Sequence, residues 1–210
     1  MTIYRSLVFL LLASCLAACS HPTHEAIPPG STVLVLGDSI SFGTGADKGE
    51  DYPSLLAKKS GWNIINAGVP GDTSAEGLER LPVLLDEQAP KLVLIELGGN
   101  DFLHQTPPEQ TSSNLKAILS QVKAKGIPSA LIAVPSFSPV AAAFGNLSDN
   151  PIYAQISKET GTPVISDLLS DVLAKNALKS DPIHPNAAGY RKIGASLAEA
   201  LGKLGFLRER

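Results

Sequence analysis

Val33-Leu34-Val35-Leu36 runs apolar into Gly37-Asp38-Ser39, so a strand hydrophobic on both faces ends by handing a hydroxyl to the edge of a sheet. A serine placed there has two readings. It can cap the helix that follows, as Asp and Ser commonly do, or it can be a nucleophile, which needs a base within hydrogen-bond reach. A base is available in Asp181-Pro182-Ile183-His184-Pro185-Asn186 near the other end of the chain. His184 before a proline can equally be a helix-entry residue. Asp181 stands three residues earlier, close enough in a turn for its carboxylate to accept from the imidazole and stabilise an imidazolium. Apart from His184, the only histidine after residue 24 is His104, in a polar loop before Pro107-Pro108 where solvent is its expected partner. Two further stretches, Asn66-Ala67-Gly68-Val69-Pro70-Gly71-Asp72-Thr73-Ser74 and Gly98-Gly99-Asn100-Asp101, are glycine-rich. Taken singly each reads as a turn.

The elements that must position these residues follow from hydrophobic pattern. Short β-branched or leucine-rich runs alternate with helix-like segments, the pattern of parallel βαβ units. Strands are expected at Val33 to Leu36, Asn63 to Asn66, Leu92 to Leu97, Ala130 to Val134 and Val164 to Ser166. Thr73-Ser74-Ala75-Glu76 has capping-box spacing and opens a helix that Pro82 should break or restart. Leu115, Ile118, Leu119 and Val122 recur at helical spacing, and Gly126 with Pro128 supplies the stop. Tyr190, Ile193, Leu197, Leu201 and Leu204 mark a last helix entered through Pro185-Asn186. The reading is α/β: five parallel strands with helices on both faces, and ligands at the carboxyl ends of the strands. Each of the four candidate stretches falls at such an end or in the loop beyond it.

Taken together and in order, Gly37-Asp38-Ser39, the Asn66 to Ser74 stretch, Gly98-Gly99-Asn100-Asp101 and Asp181 to Asn186 resemble the SGNH or GDSL hydrolases. The likeness covers the chain after its first thirty residues and is greatest to exported bacterial thioesterases, lysophospholipases and arylesterases. It implies a flavodoxin-like three-layer α/β/α sandwich and a serine esterase acting on carboxylic esters, thioesters included, without metal or cofactor. Carried over residue by residue, it makes Ser39 the nucleophile, His184 the base and Asp181 its orienting carboxylate. It gives the oxyanion to the N–H groups of Ser39 and Gly68 and to the Asn100 amide. Asp38, Asp72 and Asp101 are read as turn and cap formers.

Two departures limit the carry-over. Pro70 stands where the family commonly has a serine, and Phe102-Leu103-His104 replaces the Gly-Leu-Arg that follows the Asn-Asp pair in some lysophospholipases, so the substrate rim does not transfer. Rival hydrolases fit poorly. The final glycine of a Gly-x-Ser-x-Gly elbow is missing, there is no His-Glu-x-x-His, and Gly43-Thr44-Gly45 opens no phosphate-binding fingerprint.

The first residues are set apart as a targeting segment. Arg5 followed by Leu7 to Leu12 reads as a secretory signal too short to span a bilayer. Leu16-Ala17-Ala18-Cys19 resembles a lipobox, with Leu12-Ala13-Ser14-Cys15 as an overlapping match. The expectation is a signal peptide at 1–18, a lipid anchor on Cys19 that holds the protein at a bacterial envelope membrane, a tether at 19–30 with His21 and His24 solvated, and one domain at 31–210. No cysteine follows residue 19, so no disulfide staples the domain. A formal charge of -3 with no basic run gives no electrostatic footprint for nucleic acid.

The substrate stays open at this level. Phe137, Val140, Ala141, Ala142, Ala143 and Phe144 either line an acyl groove or pack under a long loop. Beside the lipid or small-ester hydrolase stand a carbohydrate or peptidoglycan O-acetylesterase and, in another class, a lipoprotein that binds an ester or glycan without turning it over.

Overall fold

A computed structural model describes residues 24–136 and 146–208. The leader and its lipobox, and the apolar stretch from Phe137 to Phe144, lie outside the described residues. Five strands form one parallel sheet in the order β2-β1-β3-β4-β5: β1 Thr32–Gly37, β2 Asn63–Gly68, β3 Leu92–Glu96, β4 Ser129–Ile132 and β5 Val164–Ile165. This is the doubly wound order whose switch point lies between β1 and β3, where chains leave for opposite faces and open a crevice at the carboxyl edge. The register places Gly37 opposite Glu96 on one side and Gly68 on the other. All three strand ends therefore share one edge.

Central position explains composition. Val33 to Leu36 and Leu92 to Ile95 are fully buried, as continuous apolar strands between two helical layers must be, whereas β2 is an edge strand and tolerates Asn63 and Asn66. The long helices are α2 Tyr52–Ser60, α3 Ser74–Gln88, α5 Pro108–Ala124, α6 Pro151–Thr160 and α8 Ala187–Lys203. The helix α2 packs on α8, while α5 packs on both α3 and α6, one group for each face of the sheet. Between them lie the short α1 Ser39–Phe42, α4 Gly99–Leu103 and α7 Ser170–Leu173, the first two directly after the central strands.

Tyr52, Tyr153 and Tyr190 are buried, and their hydroxyls meet Ser41 Oγ, the Leu97 carbonyl and the Thr44 carbonyl at 2.6, 2.6 and 2.9 Å. A buried phenol needs such a partner. Each bond ties a long helix to the segment just beyond β1 or β3, so the core braces the edge where the candidate residues gather.

Three expectations need correction. Pro82 neither breaks nor restarts α3, which runs unbroken from Ser74 to Gln88, because Pro82 lies on the exposed side, where the carbonyl it leaves unpaired can be hydrated. The strands β3, β4 and β5 stop one or two residues early, at Glu96, Ile132 and Ile165. Residues 24–30 are not a free tether. Ile27 N–H donates to the Phe206 carbonyl at 2.8 Å and Gly30 N–H to the Gly61 carbonyl at 2.7 Å. Trp62 Nε1 donates to the Ile27 carbonyl at 3.0 Å, and the His24 ring stacks on Phe206 with centroids 4.2 Å apart. Hydrogen bonds and one aromatic contact hold this segment, and hydrophobic periodicity registers neither.

Candidate active site

The turn at Ser39 is built by its neighbours. Asp38 caps α1 by accepting from Ile40 N–H at 3.0 Å, and Gly43 closes that helix after one turn, so Ser39 projects at its start. The other half of the site comes from the loop before α8. Asn186 caps α8 through Gly189 N–H at 3.1 Å and donates its amide to the carbonyls of Ala177 and Lys179 at 3.0 and 3.1 Å. Ser180 N–H donates to the His184 carbonyl at 3.0 Å. These bonds fold the loop back so that His184 faces Ser39.

The geometry is that of a charge-stabilised relay. His184 Nε2 lies 2.9 Å from Ser39 Oγ, and Nδ1 lies 2.7 Å from Asp181 Oδ2. Asp181 Oδ1 accepts the N–H groups of Ile183 and His184, both at 2.9 Å, so the carboxylate is fixed by three donors. Partial desolvation pushes the Asp181 carboxyl up, but these hydrogen bonds outweigh it and leave it below the usual carboxylate range. An ionised Asp181 accepting at Nδ1 keeps the proton there and turns the lone pair of Nε2 toward the serine.

Asn100 also comes to this place. Its Nδ2 donates to the Asp72 carbonyl at 2.8 Å and, over a longer 3.3 Å, to Asp38 Oδ2. The loop carrying Asp72 is itself anchored, since Arg80 Nε pairs with Asp72 Oδ2 at 2.7 Å and Arg80 Nη2 donates to the Gly37 carbonyl at 2.9 Å.

Gly68 is not brought to the pocket. Its N–H donates to Asn66 Oδ1 at 3.0 Å, and it lies beneath α1 so closely that a Cβ would fall 2.3 Å from the Phe42 nitrogen. Its glycine is a packing requirement. The open amide of this loop is that of Gly71, at φ 90°, whose N–H has no partner among the described residues. The Ser39 N–H is likewise unpaired.

A cavity of about 500 Å³ opens over Ser39, His184 and Asn100. Its wall is mainly apolar, with Leu103, Val134, Pro135, Leu147, Leu173 and Ile183. His104, by contrast, is exposed and outside it. Asp101 is buried and accepts from Ser74 N–H at 2.7 Å, the structural part expected of it.

Two residues of the site were not legible as such. Asp38 is buried rather than a simple surface cap, and loss of hydration pushes its carboxyl up to about 6 despite the Ile40 bond and the nearby His184. Glu96, at the end of β3, is wholly buried; desolvation and the neighbouring Asp38 charge raise its carboxyl well above the ordinary range. The available signal was a glutamate closing the otherwise apolar run Leu92-Val93-Leu94-Ile95.

The doubly wound parallel sheet places the chain in the flavodoxin-like α/β class, with a serine, a histidine and an aspartate in hydrogen-bond sequence at its carboxyl edge. The chain belongs to the GDSL-like Lipase/Acylhydrolase family, whose model matches residues 35–192. It is 36% identical over 179 residues to thioesterase 1/protease 1/lysophospholipase L1 of Escherichia coli strain K12, covering 82% of this chain and 84% of that one. Esterase TesA of Pseudomonas aeruginosa is 34% identical over 194 residues, with 88% and 92% covered. Among solved structures, the psychrotrophic esterase EstA of a Pseudoalteromonas species, inhibited by monoethylphosphonate, superposes with a TM-score of 0.71 at 30% identity, covering 82% of this chain and 97% of that one. The protein is a carboxylic ester hydrolase, and the non-catalytic binding role falls away.

Proposed function

We propose that Ser39, His184 and Asp181 are the nucleophile, general base and orienting carboxylate of this esterase, and that its substrates are esters or thioesters with an apolar acyl chain. The observation that carries the reading is the continuous path from Asp181 Oδ2 through His184 to Ser39 Oγ, with contacts of 2.7 and 2.9 Å. Ser39 Oγ attacks the carbonyl carbon as its proton passes to Nε2. The imidazolium, held by ionised Asp181, then protonates the leaving alcohol or thiol. A water activated by the same histidine releases the acid. The oxyanion is received by the unpaired N–H groups of Ser39 and Gly71 and by Asn100. The long 3.3 Å bond to Asp38 is the one from which an Asn100 hydrogen turns to the substrate. Gly71 takes the place expected of Gly68, because its amide is open and its neighbour's carbonyl already binds Asn100.

The apolar wall from Leu103 to Ile183 supports an acyl chain in preference to an acetyl group on a sugar. Hydrolysis of a p-nitrophenyl ester series from acetyl to long acyl tests this. A maximum beyond acetyl is expected, and a maximum at acetyl overturns the acyl-chain reading in favour of an O-acetylesterase. The Leu16-Ala17-Ala18-Cys19 motif supports a further part of the proposal: export through a signal peptide at 1–18 and lipidation of Cys19 at the cell envelope. Fatty-acid labelling that persists in Cys19→Ala argues against it.

A further inference from the structure

The mechanism above leaves one buried acid unused. Glu96 sits directly beneath the Ser39 turn, and its two oxygens are treated unequally. Oε2 accepts from Ser41 N–H at 3.2 Å and Ser41 Oγ at 2.7 Å. Since the Ser41 proton goes to Glu96, the Tyr52 hydroxyl must donate to Ser41 Oγ across their 2.6 Å contact. Oε1 is buried and meets no donor. An anionic oxygen in that position would be an uncompensated buried charge, a costly arrangement. As a carboxylic acid, Oε1–H is instead a donor that needs an acceptor, and the Asp38 carboxyl is the neighbouring one, since Asp38 and Glu96 accept from the successive N–H groups of Ile40 and Ser41. Asp38 accepts on its own account from Ile40 N–H at 3.0 Å and Asn100 Nδ2 at 3.3 Å.

We propose that Glu96 is a positioning residue that works un-ionised: its Oε1–H donates to Asp38, so the buried pair carries one negative charge instead of two beneath the oxyanion site. The inference rests on the reading of Ser39, His184 and Asn100 as the reacting groups. Two consequences follow from the geometry. A second charge so near would repel the oxyanion as it forms. A proton shared with Glu96 also draws charge away from Asp38 and loosens its hold on Asn100 Nδ2, leaving that hydrogen for the substrate. Both act on the transition state, where full negative charge first appears, so the effect belongs in kcat rather than KM. The other titratable or charged groups facing the pair are Tyr52 on α2, Tyr153 on α6, Tyr190 on α8, Asp72 with its Arg80 partner, and His184. The tyrosines are all raised by burial and remain neutral donors as the pH rises.

The test compares Glu96→Gln, which keeps a permanent N–H donor toward Asp38 and an acceptor toward Ser41, with Glu96→Leu, which keeps neither. Glu96→Leu should lower kcat on the order of 10- to 100-fold with KM little changed, as misplacement of reacting groups does. The parent should lose kcat at alkaline pH as the shared proton is lost, and Glu96→Gln should recover most of the loss seen in Glu96→Leu and show no such alkaline fall. Equal damage in both variants overturns the proposal, because it assigns the work to an ionised Glu96. Should Glu96→Leu fail to fold, infrared spectroscopy decides: the parent at neutral pH should show the C=O stretch of an un-ionised buried carboxylic acid that is missing from Glu96→Gln. Absence of that band in the parent overturns the proposal. The band is read equally well in Ser39→Ala, which separates this outcome from a failure of the nucleophile assignment; that assignment fails if a p-nitrophenyl ethylphosphonate ester, which loses p-nitrophenolate as the serine oxygen bonds to phosphorus, does not label Ser39.

Discussion

Asp181 and Asp38 act on the same histidine and are held in opposite ways. The Asp181 side chain is 44% exposed, accepts three hydrogen bonds and is kept ionised by them. Asp38 is only 3% exposed, and burial raises its carboxyl in spite of its bonds and the histidine's proximity. The difference shows that acidity in this site is set by donors, the histidine among them, weighed against the loss of water. It fits the tasks proposed for them, the wet, well-satisfied acid serving the imidazolium and the dry one the frame.

The widest separation between the two should appear in turnover. Ser39→Ala and His184→Ala should lower kcat by a factor on the order of 10⁴ to 10⁶, and Asp181→Asn by about 10⁴, since the wrong histidine tautomer is then favoured. Steady-state kinetics on folded protein check this, and an Asp181→Asn enzyme within tenfold of the parent would break the contrast. Next comes the donor that leans on the dry acid. Asn100→Ala should cut kcat by about 100- to 1000-fold, roughly 3 to 4 kcal/mol, with KM within a few-fold. An asparagine that only shapes a turn would instead lower the melting temperature and leave kcat at the parent value.

The third expectation concerns stability. Because the folded Asp38 value of about 6 lies above the ordinary 3.8, the unfolded chain gives up this proton first. Stability from this group is therefore full below about 4 and is lost as pH rises to 6 and beyond, by an amount on the order of 3 kcal/mol. Asp181 has the opposite sign, its contribution being present above the ordinary value and lost as pH falls through its lowered one. Denaturant titrations of Asp38→Asn and the parent between pH 4 and 8 should diverge in favour of the variant as pH rises. A constant difference would show that Asp38 does not bind its proton more tightly when folded. The smallest effect belongs to Cys19→Ala, which should release the protein from membranes in cell fractionation and leave kcat of the soluble domain unchanged; retention on the membrane would remove the anchor.

Much of this was legible in residue order. Four short motifs at strand ends, separated by apolar runs of the right length, lead to the parallel sheet, its carboxyl edge and the Ser39, Asp181 and His184 set, because a doubly buried strand and a hydrogen-bonded triad each demand few residue types. Gly68 was misjudged because a glycine that admits a neighbouring backbone and one that presents an amide look alike in sequence. The packing under Phe42 and the bond of its N–H to Asn66 distinguish Gly68 from Gly71. Glu96 escaped notice because a single acid in an apolar run carries no spacing signal, and its meaning depends on Ser41 and Tyr52 meeting it from other elements.

The docked segment from His24 to Gly30 bears on where this enzyme looks. It fastens the chain at the amino edge of the sheet, against Gly61, Trp62 and Phe206. Six residues of β1, about 20 Å, separate that edge from Ser39. Four residues lie between Cys19 and His24, and the five steps from one to the other reach at most about 18 Å when fully stretched. With a lipid on Cys19, the bilayer would hold the molecule by its back, and the mouth of the pocket would open outward. Esters would then arrive from the surrounding fluid, and the acyl chains of the supporting membrane would be the ones the enzyme is turned away from.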